Sequence, residues 1–130
     1  MIVLDASAVL DLLLATPRGR AVDLRLRASG EEAAVPHVLD LEVLQVLRGM
    51  VARREVEPDR AVQAVDDLGL LPVVRWPDEA LPPRIWSLRD HATAYDAAYL
   101  ALAEALDAVL LTSDPRVAEI PGHAAVVEIV

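Results

Sequence analysis

Asp5, Glu42, Asp96 and Asp114 are the residues whose type and surroundings point to chemistry. Asp5 directly follows the apolar run Met1–Leu4, and Asp114 stands two residues beyond the apolar run ending at Thr112. Glu42 is framed by Leu41, Val43, Leu44, Val46 and Leu47, and Asp96 by Tyr95, Ala97, Ala98, Tyr99 and Leu100. A carboxylate that close to an apolar face is costly unless a partner compensates it. Four unpaired carboxylates in one cleft repel one another, and a divalent cation relieves that repulsion. With no Cys and only 3 His in the chain, an oxygen-only donor set suits Mg2+, or Mn2+. A cation so held can activate a bound water. A lone acid at a helix start needs no such reading, because the helix dipole favours it there. The joint pattern of four is what argues for a site.

Strands and helices must bring these four together. Met1–Leu4 reads as a buried strand. Asp5 or Ser7 then caps a helix that runs to Leu14 and is broken by Pro17 and Gly19. Helical spacing resumes over Arg20–Ala28, and Glu32–Pro36 reads as a short strand. Val38–Arg53 is the clearest helix, with apolar residues at 39, 43, 46, 47 and 50 on one face. A helix from Pro58 to Gly69 leads to a strand over Leu70–Trp76 with Pro72 near its start. Further helices follow Pro82 and open at Thr93 or Tyr95, the latter running to Leu106. Ala108–Thr112 and Ala124–Val130 are the last strands. This alternation predicts one α/β/α domain over residues 1–130 with a mostly parallel sheet of four or five strands. In such sheets ligands bind off the carboxyl ends of the strands, where strand order reverses. Asp5 and Asp114 follow two such ends.

Composition narrows the function classes. Hydrophobic residues are 55% of the chain, enough for a real core, which excludes intrinsic disorder. The 21 Asp+Glu outweigh 12 Lys+Arg, for a net charge of −9. Bulk charge therefore does not hold it on nucleic acid; a local basic patch or metal ions must. The missing Cys excludes disulfides, thiolate catalysis and iron–sulfur clusters. The apolar start meets Asp5 at once, unlike a signal peptide, and no apolar stretch is long enough to span a bilayer. The expectation is a cytoplasmic protein without a membrane partner. All the basic residues are Arg, whose planar fork binds two phosphate oxygens at once. The absence of Lys counts against a phosphotransferase or phosphatase built on an aspartyl nucleophile.

Four stretches carry a resemblance: VLDASA from Val3, PHVLDLEVLQVLR from Pro36, HATAYDAAYLAL from His91 and LLTSD from Leu110. In this order and spacing the chain resembles the PIN-domain nucleases, and within them the VapC-type toxins of bacterial toxin–antitoxin pairs. The resemblance implies a metal-dependent ribonuclease that cuts RNA internally. It places the family's catalytic and metal-binding quartet on Asp5, Glu42, Asp96 and Asp114. Asp5 and Asp96 are the first choice for direct Mg2+ ligands and Asp114 the next. Glu42 is expected to ligate through water or to orient the attacking water. Ser7 and Thr112 match hydroxyl residues that flank the acids in the family, while Gln45 stands where many relatives carry Asn. The implied partners are RNA, a VapB-type antitoxin whose C-terminal segment blocks the site, and a second copy in a symmetric homodimer. The helices around residues 7–14 and 38–53 are the expected docking surfaces. The alternative is a catalytically inactive PIN-like regulatory or scaffold module, against which the presence of all four acids counts.

The remaining polar residues read as structural. His37, His91 and His123 fall at loop or element edges, and Asp11, Asp40, Asp66, Asp67, Asp90 and Asp107 at helix surfaces or turns. Asp40 is two residues from Glu42 and faces elsewhere. Tyr95 and Tyr99, at i and i+4, are expected to pack rather than stack on bases. Trp76 and Trp86 flank the Pro-rich connection as core or contact surface. Arg18, Arg20, Arg25 and Arg27 form the densest basic cluster, a solvated helix face or an RNA- or partner-binding edge.

Overall fold

A computed structural model describes residues 1–130. The strands are β1 (Ile2–Leu4), β2 (Ala33–Pro36), β3 (Val73–Trp76), β4 (Val109–Thr112) and β5 (Val126–Ile129). The helices are α1 (Ala6–Leu13), α2 (Pro17–Ser29), α3 (Val38–Ala52), α4 (Pro58–Leu70), α5 (Pro82–Ser87), α6 (Ala94–Ala105) and α7 (Pro115–Ala118). The sheet order is β3-β2-β1-β4-β5 and every pairing is parallel. The chain winds outward from β1 to β3, returns, and places β4 on the other side of β1. Strand order therefore reverses between β1 and β4. Helices α1 to α4 pack together on one face and α5 with α6 on the other, the three-layer arrangement expected.

The central strands are apolar on both faces because helices cover both. β1, β2 and most of β4 are buried. α6 is the most enclosed helix: every residue from Ala97 to Ala103 is buried. Its alanines let it lie close against β1, β2 and β4, and an all-round apolar helix of this kind belongs inside. Such burial, at about 25 cal/mol per Å2 of apolar area, is the main stabilising term.

The structure departs from the sequence reading in four places. Pro17 and Gly19 do not break a helix; they begin α2. Thr16 caps it, its Oγ accepting from the Gly19 N–H at 3.0 Å, and Pro17 takes the first turn, where no backbone donor is missed. Gly19 is required by a close approach: a Cβ there would lie 1.9 Å from the Asp11 carbonyl oxygen. Pro72 precedes β3 rather than lying in it, because α4 runs on through Leu70. α7 follows Asp114 as a single turn, too short to show periodicity. Finally, α1 is not a free docking surface. Ala6, Ala8, Val9 and Leu13 are buried and the helix packs against α2, α3 and α4. Exposed apolar side chains lie instead on α3 and α4, at Leu41, Leu44, Val46, Val62, Val65 and Leu70. No helix is long and apolar enough to cross a membrane.

Candidate active site

In a parallel sheet with crossover helices, a helix that directly follows a strand starts at the carboxyl edge of the sheet. All four acids sit near such helix starts. Asp5 caps α1 directly after β1, and Asp114 caps α7 two residues after β4. Asp96 lies in the first turn of α6, which Thr93 caps by accepting from the Asp96 N–H at 3.2 Å. Glu42 lies one turn further along α3. They converge at the β1–β4 reversal.

Asp5 is buried at 6% exposure and every contact holds its carboxylate in place. Oδ1 accepts from the Ser7 hydroxyl at 2.6 Å and from the Ala8 N–H at 3.0 Å. Oδ2 accepts from the Thr112 hydroxyl at 2.5 Å. Ser7 Oγ in turn accepts from the Ser113 N–H at 2.9 Å, and Thr112 Oγ1 from the Asp114 N–H at 3.0 Å. The two hydroxyls thus tie β1 to the turn after β4 and fix Asp5 and Asp114 relative to one another.

Glu42 and Asp96 are half-buried. Glu42 Oε2 accepts from the Tyr99 hydroxyl at 2.7 Å, a bond that joins α3 to α6. The fully buried Tyr99 does pack, as expected, but it also has this polar task. Burial and the Glu42 charge push its phenol far above its ordinary range, so it remains a donor. Tyr95, by contrast, is exposed.

The electrostatics divide the quartet. Burial raises the Asp5 carboxyl, the donors on it oppose that, and Asp96 adds to the rise. Burial also raises Glu42, with Asp96 and Asp5 adding repulsion, and raises Asp96, to which Asp114 adds. Asp114 moves the other way, because the Arg116 guanidinium bonds it, with the closest contact at 2.7 Å. Each acid thus feels at least one other. As the side chains stand, no three His, Asp or Glu residues close around one ion position. Arg116 covers both oxygens of Asp114, and Tyr99 one of Glu42. The donor set still suits a hard divalent cation: oxygen only, desolvated, mutually repelling, and already drawing one cation onto Asp114.

Asp96 and Asp114 open into a cleft of about 700 Å3 lined also by Arg89, His91, Thr93 and Arg116. Arg116, Arg89 and the polar role of Tyr99 at this site were not expected from the sequence. A cap acid followed two residues later by Arg was the local signal for Arg116; Tyr99 had none. Of the basic cluster on α2, Arg25 pairs with Glu128 and Arg27 with Asp23, while Arg18 donates to the Ser113 carbonyl oxygen at 3.3 Å. Asp40 pairs with Arg75, away from the quartet.

Known proteins resemble the chain in sequence and in fold. The chain is 43% identical to Ribonuclease VapC12 of Mycobacterium tuberculosis, over 100% of this chain and 99% of that protein. It is 42% identical to Ribonuclease VapC1 of the same organism, over 92% and 90%. Among solved structures, VapBC2 from Rickettsia felis bound to a promoter DNA fragment superposes with a TM-score of 0.70 at 17% identity, covering 99% of this chain and 98% of that one. The Mycobacterium tuberculosis VapC20 toxin, described as cleaving the sarcin–ricin loop, gives 0.70 at 18% identity, over 97% and 98%. These two likenesses speak to the fold. The PIN domain profile itself matches residues 2–123, and with that match and a full-length relative at 43% identity the chain belongs to the PIN-domain family.

Proposed function

We propose that the chain is a Mg2+-dependent endoribonuclease, Mn2+ serving as substitute, and the toxin of a VapBC-type toxin–antitoxin pair. The observation that supports this reading is that Asp5, Glu42, Asp96 and Asp114, from four separated stretches, stand near helix starts and are close enough to perturb one another's ionisation. The full-length likeness to proteins named ribonucleases supports it. The whole domain spans residues 1–130, and the cytoplasm is its compartment.

Asp5, Asp96 and Asp114 would hold the metal, and Glu42 would hold the attacking water. When bound, the cation supplies an activated water and charge compensation at the scissile phosphate. Ser7, Thr112 and the Ala8 N–H hold the buried Asp5 carboxylate in one orientation beside Asp96. Tyr99 leaves Glu42 Oε1 free to accept a proton from water while fixing Oε2. Arg116, paired with Asp114, keeps a positive charge beside the carboxylates that would hold the metal. The apolar groove of about 380 Å3 between α3 and α4, lined by Leu44, Leu47, Val51, Val62 and Val65, suits an amphipathic antitoxin segment. A second copy of the chain completes a symmetric dimer.

Incubation of the purified chain with total bacterial RNA tests the core of this reading. Internal cleavage should require Mg2+ or Mn2+, stop with EDTA, and vanish in Asp5→Asn and Asp96→Asn. Cleavage that persists in Asp96→Asn at the parental rate refutes the quartet. A folded, metal-binding parent that cuts no RNA favours the inactive module.

A further inference from the structure

An acidic nuclease must bring a polyanion to its own carboxylates, so the free cations at the cleft matter. Arg116 is committed to Asp114. Arg89 also lines the cleft and joins no carboxylate. It donates instead to the Trp86 carbonyl oxygen at 3.0 Å, and its guanidinium carbon lies 4.8 Å from the centre of the Trp86 ring. Trp86 is 68% exposed, and α5 buries none of its residues. The indole therefore adds little to the core. Its neighbour is an unpaired cation, held in one orientation at the mouth of an acidic cleft.

We propose that Arg89, held by stacking on Trp86, binds a backbone phosphate of the substrate RNA beside the scissile one, and that the exposed Trp86 ring stacks on an adjoining base. The inference rests on the ribonuclease reading and extends it to the substrate strand. Three features favour RNA as the occupant. A guanidinium fork matches phosphate oxygens. A cation already stacked on an aromatic ring loses less freedom on binding. Aromatic rings also accept any base, which suits a single strand. Arg89 and Trp86 are positioning residues for the substrate, not part of the metal site.

The test compares Arg89→Ala, Arg89→Lys, Trp86→Ala and Trp86→Phe with the parent, using Arg53→Ala as a charge-matched control far from the cleft. The probes are bacterial tRNA and a labelled mixed-sequence single-stranded RNA. Cleavage is read as separate kcat and KM, and binding is read in an Asp96→Asn background across a salt series. Arg89→Ala should raise KM and Kd by about 10-fold with kcat within about 2-fold, an effect the size of one lost charged contact. The slope of log Kd against log salt should shrink by about 0.7 in the single-stranded probe. Arg89→Lys should keep that slope with part of the affinity lost. Trp86→Ala should cost about 3- to 10-fold and Trp86→Phe less. The Mg2+-induced rise in melting temperature should be unchanged in all of them.

Unchanged KM, Kd and salt slope in Arg89→Ala and Trp86→Ala overturn the inference while leaving the ribonuclease reading intact. A parent that binds RNA without cutting it sinks the cleavage reading, and the binding series still decides this one. A parent that neither binds nor cuts sinks both. If Trp86→Ala changes only the oligomeric state, the patch is a protein contact and the inference fails.

Discussion

Removing one charge from the quartet should weaken its response to metal. In the metal-free chain, Asp5, Glu42 and Asp96 are all less willing to ionise than exposed carboxylates. Their charges therefore work against the fold at neutral pH. Asp96→Asn keeps the shape and removes one of the repelling charges, so the metal-free variant should be as stable as the parent or slightly more so. Mg2+ at 100 times its Kd stabilises a native site by about 2.7 kcal/mol. An unfolding entropy of about 2.1 cal/mol/K per residue over 130 residues gives about 0.27 kcal/mol/K. The parent's melting temperature should thus rise by about 10 °C, and that of Asp96→Asn by much less. Differential scanning calorimetry with and without 10 mM-range Mg2+ reads both. If Asp96 were only a helix-start acid, its loss would cost about 0.5–1 kcal/mol with or without metal. That cost, or a parent indifferent to both Mg2+ and Mn2+, would refute the carboxylate–metal argument.

Other outcomes follow from the same contacts. Tyr99→Phe removes the donor on Glu42 Oε2 without opening a cavity; urea melts should show a loss of about 1.5–3 kcal/mol, and the Mg2+ response should weaken. Gly19→Ala drives a methyl group into the Asp11 carbonyl and should cost about 3 kcal/mol or more by the same assay, because backbone, not a flexible side chain, must move. The pH profile of the metal-free fold has two limbs. The raised carboxyls Asp5, Glu42 and Asp96 contribute stability that is complete below their unfolded range and lost as pH rises through their folded values. Glu104, held low by Arg84, contributes stability present above its unfolded value and lost as pH falls through its folded one. Melting temperature without metal should therefore peak at mildly acidic pH, Mg2+ should move the peak toward neutral, and Glu104→Gln should flatten only the acid limb.

What the sequence revealed and what it hid have a common cause. Asp5 and Asp114 were legible because each interrupts an apolar strand signal at its end, and Asp96 and Glu42 because each stands alone among apolar neighbours. Local pattern suffices for such residues. The Tyr99–Glu42 bond crosses 57 residues and the Arg25–Glu128 pair 103; no local pattern encodes either. Gly19 looked like a breaker because its need is tertiary: it lets α2 pass the end of α1. Pro17 was misread for a subtler reason, since the residue that stops one helix also suits the first turn of the next. The surface of α1 was misjudged because an apolar helix face does not say what covers it.

The central place of β1 has a consequence for the chain as it is made. β1 leaves the ribosome first, yet its partner β4 and the Thr112 hydroxyl that holds Asp5 come 107 residues later. Until then one edge of β1 has no strand beside it, and open edges invite aggregation. Asp5 meanwhile has neither Thr112 nor the company of Asp96 and Asp114. A nascent or truncated chain that stops short of β4 therefore carries half a sheet and no assembled carboxylate centre. Asp114, the last of the four acids, emerges only after β4, so a ribosome making a proposed RNA-cutting toxin meets no assembled quartet before then.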